Sequence, residues 1–204
     1  MRPFAYALLA LLAASPALAQ TTAPTSEPPS DGIHITGHWT LDVRDADGSL
    51  DDSVQFTNDL VNSGAEFLMD LFTREVAFGA LSLHISGEEG PCQEQTGDRF
   101  RCIIAEPNSN GRSDAITKNL EFEVIASDLG TPLFIRYTGS FVAAFDDNLT
   151  LVSSWWERCD YGETATCDAS NTSVSSDFTR RTLDVPLAVQ AGQTVAVTFE
   201  LSFE

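Results

Sequence analysis

The chain has 204 residues, of which 43% are hydrophobic and 20% are charged, and its formal net charge is −19. This is enough apolar material for one folded domain and too much for a disordered chain. The excess of 30 acidic over 11 basic residues argues against binding to nucleic acid or to anionic lipid, because such a surface repels phosphate groups.

The N-terminal segment has the features of a secretory signal peptide. Arg2 gives a positive start, the apolar run 4–14 follows, and a pattern of small residues ends at Ala19, the expected cleavage position. The run is too short for a transmembrane segment, so we expect export to the periplasm, the cell surface or the medium. Residues 20–31 are rich in Thr, Ser and Pro, which predicts a disordered linker before a single domain at 32–204.

The domain opens with a predicted hairpin and a helix. Apolar residues and one glycine alternate with polar residues over 33–43, which predicts a half-buried strand. The turn dipeptide Asp47-Gly48 and a return strand at 54–56 follow. Ser63 and Glu66 have the spacing of a capping box, and apolar residues at helical spacing come next. We therefore predict one short helix near residues 64–73.

Strand patterns then dominate the chain. They cover residues 81–85, 100–104, 120–124, 133–145, 149–156, 183–189 and 195–203. The segment 133–145 is apolar on both faces and predicts a central strand, whereas Pro186 favours an edge position or a bulge. About eight or nine strands with one helix predict an all-β fold, an antiparallel β-sandwich. The aromatic residues expected in its core are Trp39, Phe122, Phe141, Phe199 and Phe203.

Four cysteines follow the signal peptide, and export brings them into an oxidising compartment where disulfides persist. Three pairings are possible, and the two short spacings favour Cys92–Cys102 and Cys159–Cys167. A zinc site is disfavoured, because the cysteines form no C-x-x-C motif and have no histidine near them in sequence.

The turn of the first predicted hairpin carries four carboxylates that are candidates for calcium ligands: Asp45, Asp47, Asp51 and Asp52. Calcium prefers clusters of oxygen ligands, but the EF-hand pattern fails because Phe56 stands where that motif has Glu. A solvated acidic turn is the alternative. No other cofactor is expected.

Three histidines lie on predicted strands. His34 and His38 share one polar face, but residues four apart on a strand are about 13 Å apart, too far to hold one metal ion directly. His84 lies on the polar face of another predicted strand, and the sequence does not indicate whether the fold brings it near the other two.

Trp155 and Trp156 are neighbours on a predicted strand, so their side chains face opposite sides. We expect one indole to join the core. The other is a candidate for stacking on a sugar or a partner, with packing under the helix or a loop as the alternative.

No catalytic signature accompanies these residues. The chain has no G-x-S-x-G elbow and no phosphate-binding glycine loop. A glycosidase needs two carboxylates, but with 30 acidic residues a pair carries no information. We predict an exported, non-enzymatic structural or binding module with an unidentified extracellular or periplasmic partner. The alternatives are a carbohydrate-binding domain, assisted by calcium, and a secreted hydrolase with a carboxylate site.

Residues 56–68 resemble a segment of phage tail and tail-fibre-type β proteins. Those proteins carry an N-x-[IVL]-[TV]-x-x-G stretch, here Asn58 to Gly64, then a short helix and a strand, and their last strand alternates strongly. The resemblance covers about residues 56–85 and 193–203 and implies a β-rich domain with a helix after the first hairpin. The signal peptide and the cysteines depart from a virion role, and no site residue is transferred.

Overall fold

The computed structural model describes residues 35–92, 101–107, 117–125, 133–160 and 176–203. The predicted signal peptide and linker lie outside these ranges. Nine strands and one helix form within them: β1 (Ile35–Arg44), β2 (Leu50–Asp59), α1 (Asn62–Phe72), β3 (Val76–Gly87), β4 (Arg101–Ala105), β5 (Glu121–Ile125), β6 (Leu133–Val142), β7 (Asp147–Asp160), β8 (Ser176–Val189) and β9 (Thr194–Phe203).

The strands form two antiparallel sheets that pack face to face, which confirms the predicted sandwich. The five-stranded sheet has the order β2-β1-β9-β6-β5, and the four-stranded sheet has the order β4-β3-β7-β8. β8, which contains Pro186, is an edge strand, as its missing N–H donor favours. β6 has a paired neighbour on each side.

The core lies between the sheets, where alternate residues of each strand point inward. Trp39, Phe141 and Phe199 are buried as expected, and Phe203 is partly buried against them. The largest fully buried side chains are Trp39, Phe67, Phe141, Phe178, Phe199, Leu41, Leu81, Leu83, Ile85, Ile104, Leu120 and Leu149.

Phe122 is not a core residue, and the expectation that placed it there is wrong. Its side chain is 58% exposed on β5. β5 is an edge strand of the five-stranded sheet, and the opposing strand β4 contacts β6 more extensively than it contacts β5. Phe122 contacts Tyr137 on the neighbouring strand instead, with ring centroids 5.8 Å apart.

The helix begins two residues earlier than predicted, and the capping box does not form. Val61 is the N-cap residue, and no side chain caps the N-terminus of the helix. The Ser63 hydroxyl instead donates to the backbone carbonyl of Asp177 in β8, at 2.7 Å. Phe67 anchors the helix, because its buried ring packs against Phe78 and Phe178.

The disulfide Cys92–Cys102 is confirmed, with Cα atoms 5.5 Å apart. It joins the segment after β3 to β4. Cys159 is buried and also disulfide-bonded, whereas its predicted partner Cys167 lies outside the described residues. No helix in the described part of the chain has the length and apolarity that a membrane crossing requires.

Candidate functional site

The outer face of the four-stranded sheet carries a cluster of polar and aromatic side chains. β3 contributes Ser82, His84 and Ser86, since the residues between them face the core. β7 contributes Ser153 and Trp155 for the same reason. The strand register places His84 opposite Ser153 and Ser82 opposite Trp155.

The indole of Trp155 lies in the middle of this face. The His84 ring stacks on it in parallel, with centroids 4.7 Å apart and an interplanar angle of 5°. The guanidinium carbon of Arg101, from β4, lies 5.5 Å from the indole centroid, within the range of a cation–π interaction. Trp155 Nε1 donates to Ser153 Oγ at 2.8 Å. These contacts hold the indole in one orientation.

His84 is buried, and both of its ring nitrogens have polar neighbours. Its Nδ1 lies 3.2 Å from Arg101 Nη1, and its Nε2 lies 3.0 Å from Ser82 Oγ. These contacts fix the orientation of the imidazole ring against the Trp155 indole.

A cavity of about 240 Å³ lies beside Trp155. Sites for drug-sized ligands have volumes of roughly 300–1,000 Å³. This cavity is smaller, so it suits a ligand group smaller than a drug molecule. The residues that line it come from all four strands of the sheet: Ser86, Arg101, Leu151, Ser153, Trp155, Asp177 and Arg180. The cavity thus offers cationic, anionic, hydroxyl and aromatic groups within one concavity.

Asp177 is the acidic group among the described residues that line the cavity. Its Oδ2 lies 3.4 Å from Arg180 Nη1, and its Oδ1 is buried without a hydrogen-bond donor. Burial raises the pKa of this carboxyl, and it outweighs the lowering by Arg180, the Ser153 hydroxyl and Arg101. A buried acceptor that lacks a donor costs about 1–3 kcal/mol. The side chain as a whole is 20% exposed and lines the cavity, so its carboxylate can accept a hydrogen bond from a ligand.

The two neighbouring tryptophans lie on opposite faces of β7. Trp156 belongs to the core, where its ring lies near Phe78 and Phe178. Trp155 is half-buried on the outer face, beside the cavity. Of the two candidate stacking residues, only Trp155 is placed where a ligand could reach it.

His38 and His84 do not come together. His38 is exposed on the five-stranded sheet, where its neighbours are Ser202 and Glu200 of β9. His84 lies on the outer face of the other sheet, so the core separates the two rings. His34 lies outside the described residues.

Within the acidic turn, Asp47 acts as a local turn residue. Its Oδ1 accepts from the backbone N–H of Ser49 at 2.9 Å and from the hydroxyl of Ser49 at 2.6 Å. These two hydrogen bonds lower the pKa of the Asp47 carboxyl. Asp52 accepts from the backbone N–H of Ser53.

Asp45 and Asp51 are bridged by an amide rather than by an ion. Gln193 Nε2 donates to one carboxylate oxygen of each, at 2.9 Å in both cases. Among the residues that the structure describes, no group of three or more His, Cys, Asp or Glu side chains is arranged to hold a metal ion. Calcium binding by this turn stays a prediction.

Sequence reasoning singled out Trp155 but missed Arg101, Asp177 and Arg180. These residues form no local motif, because the cavity is assembled by strand register over long sequence separations. The signal in the sequence that could have pointed to the two arginines was the scarcity of basic residues in so acidic a chain.

No protein-family model matches the sequence, no curated protein matches it, and no solved structure matches the fold. The resemblance to phage tail proteins therefore stays a prediction.

Proposed function

We propose that this chain is an exported, non-enzymatic binding module and that its ligand is a carbohydrate. The observation that carries the proposal is the juxtaposition of the Trp155 indole and the part-exposed Asp177 carboxylate in a small cavity. Sites for small ligands combine apolar or aromatic walls with a few well-placed polar groups.

The chemistry of a sugar ring fits these groups. Its hydroxyls donate and accept hydrogen bonds, which matches the Asp177 carboxylate and the hydroxyls of Ser86 and Ser153. Its apolar C–H surface suits the Trp155 indole. The indole is already fixed by His84 and Ser153, so little conformational entropy is lost when a ligand binds.

A binding experiment with matched variants tests this proposal. The protein is titrated against a panel of soluble neutral and acidic polysaccharides, with calcium and with a chelator. We expect Trp155→Ala to weaken binding about tenfold or more, as is typical of an aromatic hot-spot residue. Phe122→Ala, which removes an exposed aromatic ring from the other sheet, should leave the affinity unchanged.

Two results would contradict the proposal. One is that no polysaccharide binds to the folded protein. The other is equal binding by Trp155→Ala and the parent protein. If binding is lost on chelation, the predicted calcium ligands Asp45, Asp47, Asp51 and Asp52 become the next residues to substitute.

A further inference from the structure

We infer that the cavity beside Trp155 selects saccharides that carry an anionic group, a carboxylate or a sulfate, and that the Arg180 guanidinium binds this group. The inference rests on the proposed function, because it names the ligand class of the same site.

Arg180 is placed to meet a ligand. Its side chain lines the cavity and is 53% exposed, on the strand next to Ser153. Its ion pair with Asp177 is 3.4 Å long, whereas strong charge-assisted hydrogen bonds measure about 2.7–2.9 Å. A guanidinium has five N–H donors in a planar fork that matches a carboxylate or a sulfate.

The charge distribution favours an anion at this position. The chain has 11 basic residues against 30 acidic ones, yet the described residues that line the cavity include two arginines, Arg101 and Arg180, and one carboxylate, that of Asp177. At physiological ionic strength, exposed charges more than about 8 Å away are largely screened. An anionic group that contacts Arg180 is therefore affected mainly by the charges nearest to it.

Asp177 restricts which anions fit. A simple inorganic anion would lie close to the Asp177 carboxylate without giving it a donor. A neutral sugar gives Asp177 a hydroxyl donor, but it gives Arg180 no anionic partner in addition to Asp177. An acidic saccharide satisfies both, because one hydroxyl can donate to the Asp177 carboxylate while the anionic group accepts from Arg180.

The test compares ligands that differ only in charge. Calorimetric titration uses the full exported chain with galacturonic acid oligomers and with their methyl esters, and with dextran sulfate and dextran. Sodium acetate and sodium sulfate serve as anion controls. We expect the charged member of at least one pair to bind about tenfold tighter than its neutral counterpart. The pair that shows the preference identifies the carboxylate or the sulfate.

Matched arginine variants assign the preference to its residue. Arg180→Gln should bind the charged and neutral members equally. Arg181→Gln makes the same charge change on the same strand, and it should keep the preference, because Arg181 pairs with Asp184 and with the Thr57 carbonyl. Circular dichroism checks that both variants are folded.

The negative outcomes are distinguishable. Equal affinity of the parent protein for charged and neutral saccharides overturns the inference and leaves the proposed function standing. A preference that persists in Arg180→Gln overturns the assignment to Arg180. Tight binding of acetate or sulfate alone overturns the role given to the sugar hydroxyls. Absence of binding to every saccharide overturns the proposed function together with the inference.

Discussion

Glu106 is half-buried at the end of β4. Burial is the largest influence on its carboxyl and raises the pKa above its ordinary value of 4.5. The backbone N–H of Leu81, which donates to Glu106 Oε1 at 3.0 Å, acts in the opposite direction, and the nearby carboxylate of Glu157 raises the pKa again. Burial and Glu106 together raise the pKa of the Tyr137 hydroxyl. Folding therefore shifts the equilibrium of Glu106 toward its uncharged form, relative to the unfolded chain.

Glu106→Gln should stabilise the protein at neutral pH. A folded-state pKa above the unfolded value means that the free energy of unfolding falls as the pH rises from about 4.5 through the raised pKa. Glutamine keeps the oxygen that accepts from Leu81 and removes the charge. We expect a melting temperature a few degrees above that of the parent protein at pH 7, and convergence of the two near pH 4.

Glu121→Gln is the matched control for this substitution, because Glu121 is exposed on β5 and loses the same charge. It should leave the melting temperature at pH 7 nearly unchanged. A lower melting temperature for Glu106→Gln at pH 7 would show that the charged form of Glu106 is the one that the fold stabilises.

At the scale of elements, the loop after β3 is organised around one carboxylate. Asp147, at the start of β7, accepts backbone hydrogen bonds from Glu88, Glu89 and Gly90 at 2.8–3.0 Å. A Cβ atom at Gly87 would collide with this carboxylate, so glycine is needed there. Asp147 thereby joins the end of one strand to the beginning of its neighbour.

Asp147→Ala should lower the free energy of unfolding by about 2–3 kcal/mol, since it leaves several N–H donors without a charged acceptor. Urea unfolding measures the change. Asp146→Ala is the control, because Asp146 is exposed and accepts one hydrogen bond, from the N–H of Ala191. An equal loss in both variants would mean that the loop does not depend on Asp147 specifically.

The contact between α1 and β8 depends on the absence of a side chain at Gly64. A Cβ atom there would overlap the carbonyl oxygen of Phe178 and would lie 2.8 Å from Leu60 Cδ1. Alanine is the better helix former by about 1 kcal/mol, but the overlap involves backbone and has no easy relief. The geometry of the helix contact therefore outweighs helix propensity.

We therefore expect Gly64→Ala to lower the melting temperature, opposite in sign to the effect expected from helix propensity. Differential scanning calorimetry gives the comparison. Ala65→Gly, one residue later on the exposed side of the helix, should cost about 1 kcal/mol through propensity alone. A gain in stability from Gly64→Ala would show that the helix can move away from β8.

At the scale of the whole molecule, local sequence patterns predicted the positions of the strands well. They predicted poorly what each strand or helix packs against. The alternation of apolar and polar residues in β1 and β9 is a property of adjacent residues, so the sequence alone predicted these strands. Phe122 was misplaced because nothing local distinguishes an edge strand from a covered one. The helix start was misplaced because Ser63 donates to a carbonyl 114 residues away.

The candidate site shows the same limit. The adjacent pair of tryptophans was visible, and β-strand geometry predicted that they face opposite sides. Arg101 and Asp177 come to Trp155 only through the pairing of β3 with β4 and of β7 with β8. A cavity assembled from four strands leaves no spaced motif, so its chemistry emerges only in three dimensions.

The exposed edge at β5 has a consequence for self-assembly. Among the described strands β5 has a neighbour on one side only, so its other edge, next to the exposed side chains of Phe122 and Val124, is a template on which a second copy could extend the sheet. An antiparallel copy centred on Phe122 or on Glu123 would set glutamate against glutamate, and like charges in register oppose pairing. Arg136 does not cancel this repulsion, because its guanidinium already forms ion pairs with both Glu123 and Glu200. The two glutamates of this strand thus oppose polymerisation through the β5 edge.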